Sequence, residues 1–451
     1  MPLYYTDPNE FSLETDSQNI QAAVNAAHEN GCNHVVIPRI NGRTGQPLWV
    51  IDTTILLPSH MYVEIDNAHL RMADGVFCQM FRNSHADTPI SATAEGQQED
   101  IILQGRGRAL LDGGVHNGLR EDTALKDGLP GIYNNLTIWF HNVQNFKIDG
   151  LTIRDQRWWA IAFAFASQGI VSNLRFEITD KSWRKGHPLN PEHPWRNQDG
   201  VDLRVGCHDI QIFNITGETC DDVVALTALA EHGQNQKRFE DIYHCHHLSS
   251  DIYNVDIRNI NAFNNHCAIV RLLCHFGNKI YNVSIDNIID ATPMAHPVAV
   301  AEGQRTACCI KVGENGYHRN IPELGCQHGD LSNIRISNVF SNALTAVNLN
   351  CSVRDLDVRN IQVGAKGINA VSVSLVTGGA HTALDKPSNL TTLENILVDG
   401  IYFRSEQPEA APVFVNNMRA ENFRIMNLQY AGETPVQVLQ PREDSQAIIL
   451  E

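Results

Sequence analysis

The chain is short of positive charge, of long apolar runs and of patterned cysteines. Its 34 Lys and Arg face 51 Asp and Glu, a formal net charge of −17 over 451 residues. A polyanion finds little attraction in that balance, so neither nucleic acid nor an anionic membrane is an expected partner. No run of 18 apolar residues occurs, and no membrane-crossing helix is expected. The stretch Met1–Phe11 has neither the basic nor the apolar segment of a secretory signal, so the expected location is cytoplasmic. The 11 cysteines are odd in number and scattered, and read as reduced thiols used as small core residues. Zinc-ligand spacing is missing, the only His/Cys cluster being Cys245 with His244, His246 and His247. No metal and no cofactor are expected.

Helical periodicity is also missing after residue 31. That excludes a doubly wound sheet, which needs helices between its strands. Before that point, Asp16-Ser17-Gln18-Asn19 followed by Ile20, Ala23, Val24 and Ala27 predicts a capped amphipathic helix ending at Gly31. What fills the rest is a repeat of the form apolar-x-apolar-x-Asn/Gly-apolar. It runs Phe146-Lys147-Ile148-Asp149-Gly150-Leu151, then from Leu174 and from Ile210, then Val255–Ile260, Val283–Ile288, Ile334–Val339, Leu356–Ile361, Ile396–Ile401 and Phe423–Leu428. Alternation with a period of two gives strands with one wet and one buried side. Asn and Gly at a fixed place suit a tight bend, and Asn side chains can ladder from coil to coil. The copies recur at uneven spacings, and the long gap between Val283 and Ile334 leaves room for loops or a further coil. Repetition at constant phase without helices predicts an all-β fold, a right-handed parallel β-helix. It is expected to form one domain over residues 1–451, with residues 1–60 as an N-terminal cap region.

Two short strand-like segments, Val201–Val205 and Val223–Leu226, are each entered through acids, Asp199 and the pair Asp221-Asp222. The offset of 22 residues is about one coil. Strands of neighbouring coils lie about 4.8 Å apart, so stacked segments would crowd carboxylates on one patch. That crowding costs energy unless chemistry uses it, and paired carboxylates are the equipment of glycoside cleavage. Inversion needs a protonated acid on the leaving oxygen and a carboxylate activating water, roughly 6.5–9.5 Å apart. Asp222, in the most acidic place, is the candidate acid, while Asp199 and Asp221 are the candidates to hold and deprotonate water. The loop Thr179–Arg196 brings Trp183, Arg184, Lys185, His187, His193, Trp195 and Arg196 up to this stretch, and Ala228–Ser250 leaves it. Trp195 and Arg196 are candidate sugar contacts. The two loops would wall a groove into a pocket, which favours attack at a chain end.

The chain resembles the polygalacturonase-type glycoside hydrolases, the pectin-cleaving family 28. Ile20–Val24, Val35–Pro38 and Leu57-Pro58-Ser59 fit their opening, Leu110–Gly113 their "IDG" turn and Trp159-Ala160-Ile161 their "W-x-I". Four motifs follow in the family order. Asn197-Gln198-Asp199 matches Asn-Thr-Asp and Asp221-Asp222 matches Asp-Asp. Asn265-His266-Cys267 sits at Gly-His-Gly, and Ile310-Lys311 at Arg-Ile-Lys. The resemblance covers roughly residues 16–315. It implies catalytic roles for Asp199, Asp221, Asp222 and His266, the last tuning the acid. It implies substrate contacts for Asn197 and Lys311, and an oligosaccharide or polysaccharide substrate containing uronate. Cys309 stands where the family has the Arg that helps its Lys hold a uronate carboxylate. Arg271, or Arg184, Lys185 and Arg196, are the candidates to replace it. A β-helix lyase or epimerase using calcium on the three acids, a sugar transferase and a non-enzymatic carbohydrate-binding β-helix remain open alternatives. So does self-association.

Overall fold

The computed structural model describes residues 5–114, 135–179, 198–229, 243–264, 267–275, 277–292, 306–314, 325–377, 380–382, 392–443 and 448–451. The fold is a right-handed parallel β-helix, as the repeat predicts. The chain divides into two compact units, Met1–Thr216 with Ala230–Ser249, and Gly217–Leu229 with Ser250–Glu451.

The first unit opens with the helix Asp16–Glu29. Thr15 caps it in a reciprocal capping box with Gln18. Ile20, Ala23, Val24 and Ala27 are fully buried. Asp16 ties the helix to the strands, its carboxylate accepting from Arg43 and from the Val50 amide at 2.7 and 2.8 Å. The strands then repeat in three parallel ladders. One joins His34–Pro38, Tyr62–Asp66, Gln98–Arg106, Val143–Asp149 and Ser167–Glu177. A second joins Trp49–Ile51, His69–Met72, Leu110–Asp112 and Thr152–Arg154. A third joins Ile55–Leu57, Phe81–Asn83, Ile138–His141, Ile161–Ala164 and Val201–Leu203.

In the second unit one ladder runs through Ile252–Asn264, Ile280–Asp290, Leu331–Ser341, Val353–Val363, Thr392–Phe403 and Arg419–Gln429. Its register is the repeat itself: Val255 faces Val283, which faces Ile334, then Leu356, Ile396 and Phe423. Val283 pairs directly with Ile334, so the long sequence gap holds no further coil of this ladder. The other ladder joins Val224–Ala228, Ala268–Cys274, Cys308–Val312, Thr345–Leu349, Asn369–Val373, Val413–Asn416 and Val436–Leu439. The corner asparagines take positive φ, among them Asn254, Asn259, Asn282, Asn287, Asn338 and Asn360. They ladder as predicted: Asn282 donates to Asn254 at 3.1 Å, Asn287 to Asn259 at 2.9 Å and Asn360 to Asn338 at 3.2 Å.

One alignment differs from the sequence reading. The copy that follows Phe146 starts at Gly169 rather than Leu174, because Phe146 pairs with Gly169 and Ile148 with Val171. Gly169 hides an apolar position whose volume the Phe146 ring already fills: a Cβ there would lie 2.0 Å from the ring. Gly169→Val should therefore overpack this layer and destabilise the protein by about 1–3 kcal/mol. The urea midpoint is expected to fall, and an unchanged midpoint would contradict the packing.

Candidate functional site

In the second unit Asp221 and Asp222 enter the strand Val224–Ala228. The next coil enters its own strand at Cys267, directly alongside. Asp222 is 1% exposed. One of its oxygens accepts the Ala268 amide at 2.8 Å, and Val223 donates its amide to the Ala268 carbonyl. The neighbouring coil thus fixes where the carboxyl points. The Asp222 amide donates to the Asp221 carboxylate at 3.0 Å, so the two acids share one turn.

On the ladder that follows, core and outer positions alternate. Val270 and Leu272 pair inward with Ile310 and Val312, while Arg271 pairs with Lys311 between them. On its other side Arg271 is paired with Ala225, whose single methyl leaves room for a long side chain. The Arg271 guanidinium reaches Asp222 at 3.1 Å and Glu314 at 3.4 Å. Lys311 donates to the same Glu314 carboxylate. Glu314 was not a candidate from the sequence. It sits three residues past Lys311, beyond Gly313, whose φ of +85° turns the chain. A side chain at 313 would also meet the Cys351 sulfur at 2.0 Å, so only glycine serves there. His275 donates Nε2–H to the Glu314 carbonyl at 3.1 Å and holds that turn. Glycine directly after the Lys311 strand, followed by an acid, is the signal that could have pointed to it.

Burial pushes the Asp222 pKa up, the Arg271 cation pulls it down and the Asp221 carboxylate pushes it up again; it stands at about 6. Burial opposes the charge of Lys311, but the Glu314 carboxylate outweighs it and the lysine pKa lies above its ordinary value. Cys309, at the position of the family Arg, is a buried core thiol whose pKa burial raises. Arg271 lies on the neighbouring strand, in register with Lys311 and not with Cys309.

Asp199 lies in the first unit and is buried. Its carbonyl accepts the Ala160 amide at 3.0 Å and the Gln156 side-chain amide at 3.1 Å. Asp202, also buried, stands across from Ala162 on the strand Val201–Leu203, a further acid that the motif reading passed over. Arg204 places its guanidinium 4.7 Å from the centre of the Trp159 ring. The candidates Trp195, Arg196, Asn197 and His266 lie outside the described residues, as do Arg184 and Lys185. Of the sequence candidates, then, Asp221, Asp222, Arg271 and Lys311 are brought together in one unit.

Ligand atoms of Asp221, Asp222 and Cys267 lie within 4.8 Å of one another. Calcium takes six to eight oxygens. Here one of the three donors is a thiol whose pKa burial raises well above its ordinary value, and Asp222 already faces Arg271. The set does not fit calcium.

Residues 102–236 match the family model for glycosyl hydrolases family 28. The matched span contains Asn197–Asp199 and Asp221-Asp222 and stops short of Asn265-His266-Cys267 and Lys311. The resemblance read from the motifs holds over that span, and the glycosidase reading rests on it. No curated protein matches the sequence. Among solved structures, a Yersinia enterocolitica family 28 exopolygalacturonase is 14% identical with a TM-score of 0.50, covering 99% of this chain and 78% of that one. An Azotobacter vinelandii mannuronan C-5 epimerase module, AlgE6, is 12% identical at 0.55, covering 99% of both chains. A tailspike protein of E. coli bacteriophage HK620, solved with a pentasaccharide, is 12% identical at 0.58, covering 99% of this chain and 78% of that one. At such identities these likenesses establish the β-helix fold.

The balance at Asp222 makes a direct prediction. Arg271→Gln removes the cation that favours the ionised carboxyl, so the Asp222 pKa should rise, by about 1–3 pH units. A carboxyl-selective infrared titration reads it, with Asp222→Asn identifying the band; an unchanged or lowered midpoint would contradict the assignment.

Proposed function

We propose that this protein hydrolyses the O-glycosidic bond of a pectic-type oligosaccharide, with Asp222 as general acid. The observation that carries the reading is Asp222 itself. It is a buried carboxyl with its pKa raised to about 6, aligned by the Ala268 amide and set beside a second carboxylate. In such an arrangement Asp222 gives its proton to the leaving glycosidic oxygen as the C–O bond breaks. Asp221, half-exposed and next to it, orients and deprotonates the attacking water, whose hydroxyl becomes the new anomeric hydroxyl. Asp199, in the first unit, carries the family motif of a water-holding base. Inversion is proposed on the strength of the family motifs; the two acids, with ligand atoms within 4.8 Å, stand closer than the roughly 6.5–9.5 Å usual for an inverting pair, so the configuration of the product decides. Activity should be lost as pH rises through about 6, because the acid must be protonated to act.

The epimerase neighbour gives a second reading, abstraction of a proton next to a uronate carboxyl. Asp222 speaks against it, since a carboxyl kept neutral up to about pH 6 is prepared to give a proton. We infer further that attack is at a chain end.

The test uses leaving groups. Asp222→Asn should lower turnover of natural oligosaccharides by about 10²–10⁴-fold. It should cost much less on an aryl glycoside with a good leaving group, which departs without a proton. Asp221→Asn and Asp199→Asn should slow both substrates alike. Proton NMR of the first product should show inverted configuration. Retention would make one aspartate a nucleophile and overturn the assigned roles.

A further inference from the structure

The site carries its own counter-charge. Two cations, Arg271 and Lys311, stand side by side on the outer face of adjacent strands, the equipment for a substrate carboxylate. Yet Glu314 accepts from both of them, and Asp222 takes the other arm of Arg271. None of the four side chains is more than 15% exposed. Among the described residues the four sum to one positive charge when Asp222 is protonated and to zero when it is ionised; the Asp221 carboxylate beside them brings the totals to zero and to one negative charge.

We infer that the sugar bound against Arg271 and Lys311 is neutral, a hexose or deoxyhexose, and that Glu314 occupies the place where a uronate carboxylate would sit. The inference rests on the hydrolase reading and names the sugar class of that same site. A uronate entering here must displace a buried carboxylate from two cations or add an unmatched negative charge. Either is unfavourable where water is excluded and Coulomb forces are weakly screened. A neutral sugar needs only hydroxyls near the outer edges of these groups, which leaves the ion pairs whole. The specificity is therefore achieved by blocking the competitor, since Glu314 fills the anion position permanently. This also accounts for Lys311 and Arg271 keeping their charge in a buried place, because each has a fixed acidic partner.

The experiment compares the full chain with Glu314→Gln and Glu314→Asp. The substrates are 4-nitrophenyl galactosides, rhamnosides and galacturonides of both anomeric forms. Calorimetry with free galactose, rhamnose and galacturonate measures binding separately. The wild type should favour a neutral sugar over galacturonate at least tenfold in binding and in kcat/KM. Glu314→Gln should move that ratio towards galacturonate at least tenfold, mainly through KM. Glu314→Asp, which keeps the charge, should keep the wild-type preference and shows that the effect is not loss of fold. Three results would overturn the inference: a wild-type preference for galacturonate, equal changes on both classes in Glu314→Gln, or no binding of either neutral sugar. Preferential binding of a neutral sugar without any hydrolysis would uphold it and sink the hydrolase reading instead. Hydrolysis with uronate preferred does the converse.

Discussion

Parallel pairing in fixed register is the constraint on which the rest depends. Each strand in a ladder lies about 4.8 Å from the next and must hold the same phase, because a slip of one residue would turn its apolar row outward. In the second unit Val255, Val283, Ile334, Leu356, Ile396 and Phe423 obey this without interruption. The same rule governs the outer face. Once Val270 pairs with Ile310 and Leu272 with Val312, Arg271 and Lys311 have no choice but to be neighbours. Two like charges at that distance repel, and Glu314 is the group that makes the arrangement tolerable.

The electrostatics of the site follow from this chain of neighbours. Glu314 engages Lys311 and one arm of Arg271, leaving the other arm for Asp222. Arg271 keeps Asp222 from becoming a permanently neutral acid, while burial and Asp221 keep it from ionising at the ordinary carboxyl pKa. The result is a proton held close to physiological pH. Buried ion pairs add little net stability compared with apolar packing, so their presence here points to use rather than to stability. The raised pKa has a stability cost of its own. Asp222 binds its proton more tightly folded than unfolded, so its contribution to stability falls as pH rises between about 4 and about 6.

Much of the fold was legible because β-helix coils repeat local chemistry. The helix at 16–29 was visible in its apolar stripe, although its cap is Thr15, one residue before the stretch Asp16–Asn19 read as the cap, and the corner asparagines were visible in their spacing. The copy at Gly169 was misread because the apolar residue it lacks is supplied by the Phe146 ring of the preceding coil, a contact no single repeat reveals. The acids Asp221 and Asp222 stood out as a pair, and Arg271 as a cation near the missing family Arg. Glu314 did not, since its place depends on the turn at Gly313, where Cys351 from a distant part of the sequence leaves no room for a side chain. The aromatic and histidine contacts read from the loop before Asn197 and from His266 fall outside the described residues, and nothing in the geometry bears on them.

The central claim is that Asp222 holds a proton to about pH 6 in the folded protein. Carboxyl carbon-13 NMR of protein labelled at aspartate, recorded across pH for the wild type and for Asp222→Asn, isolates this one group by difference. A difference signal titrating with a midpoint near 6 is the expected result. A midpoint at or below the ordinary carboxyl value of about 3.9 would contradict the account, because Asp222 would then carry no proton to give.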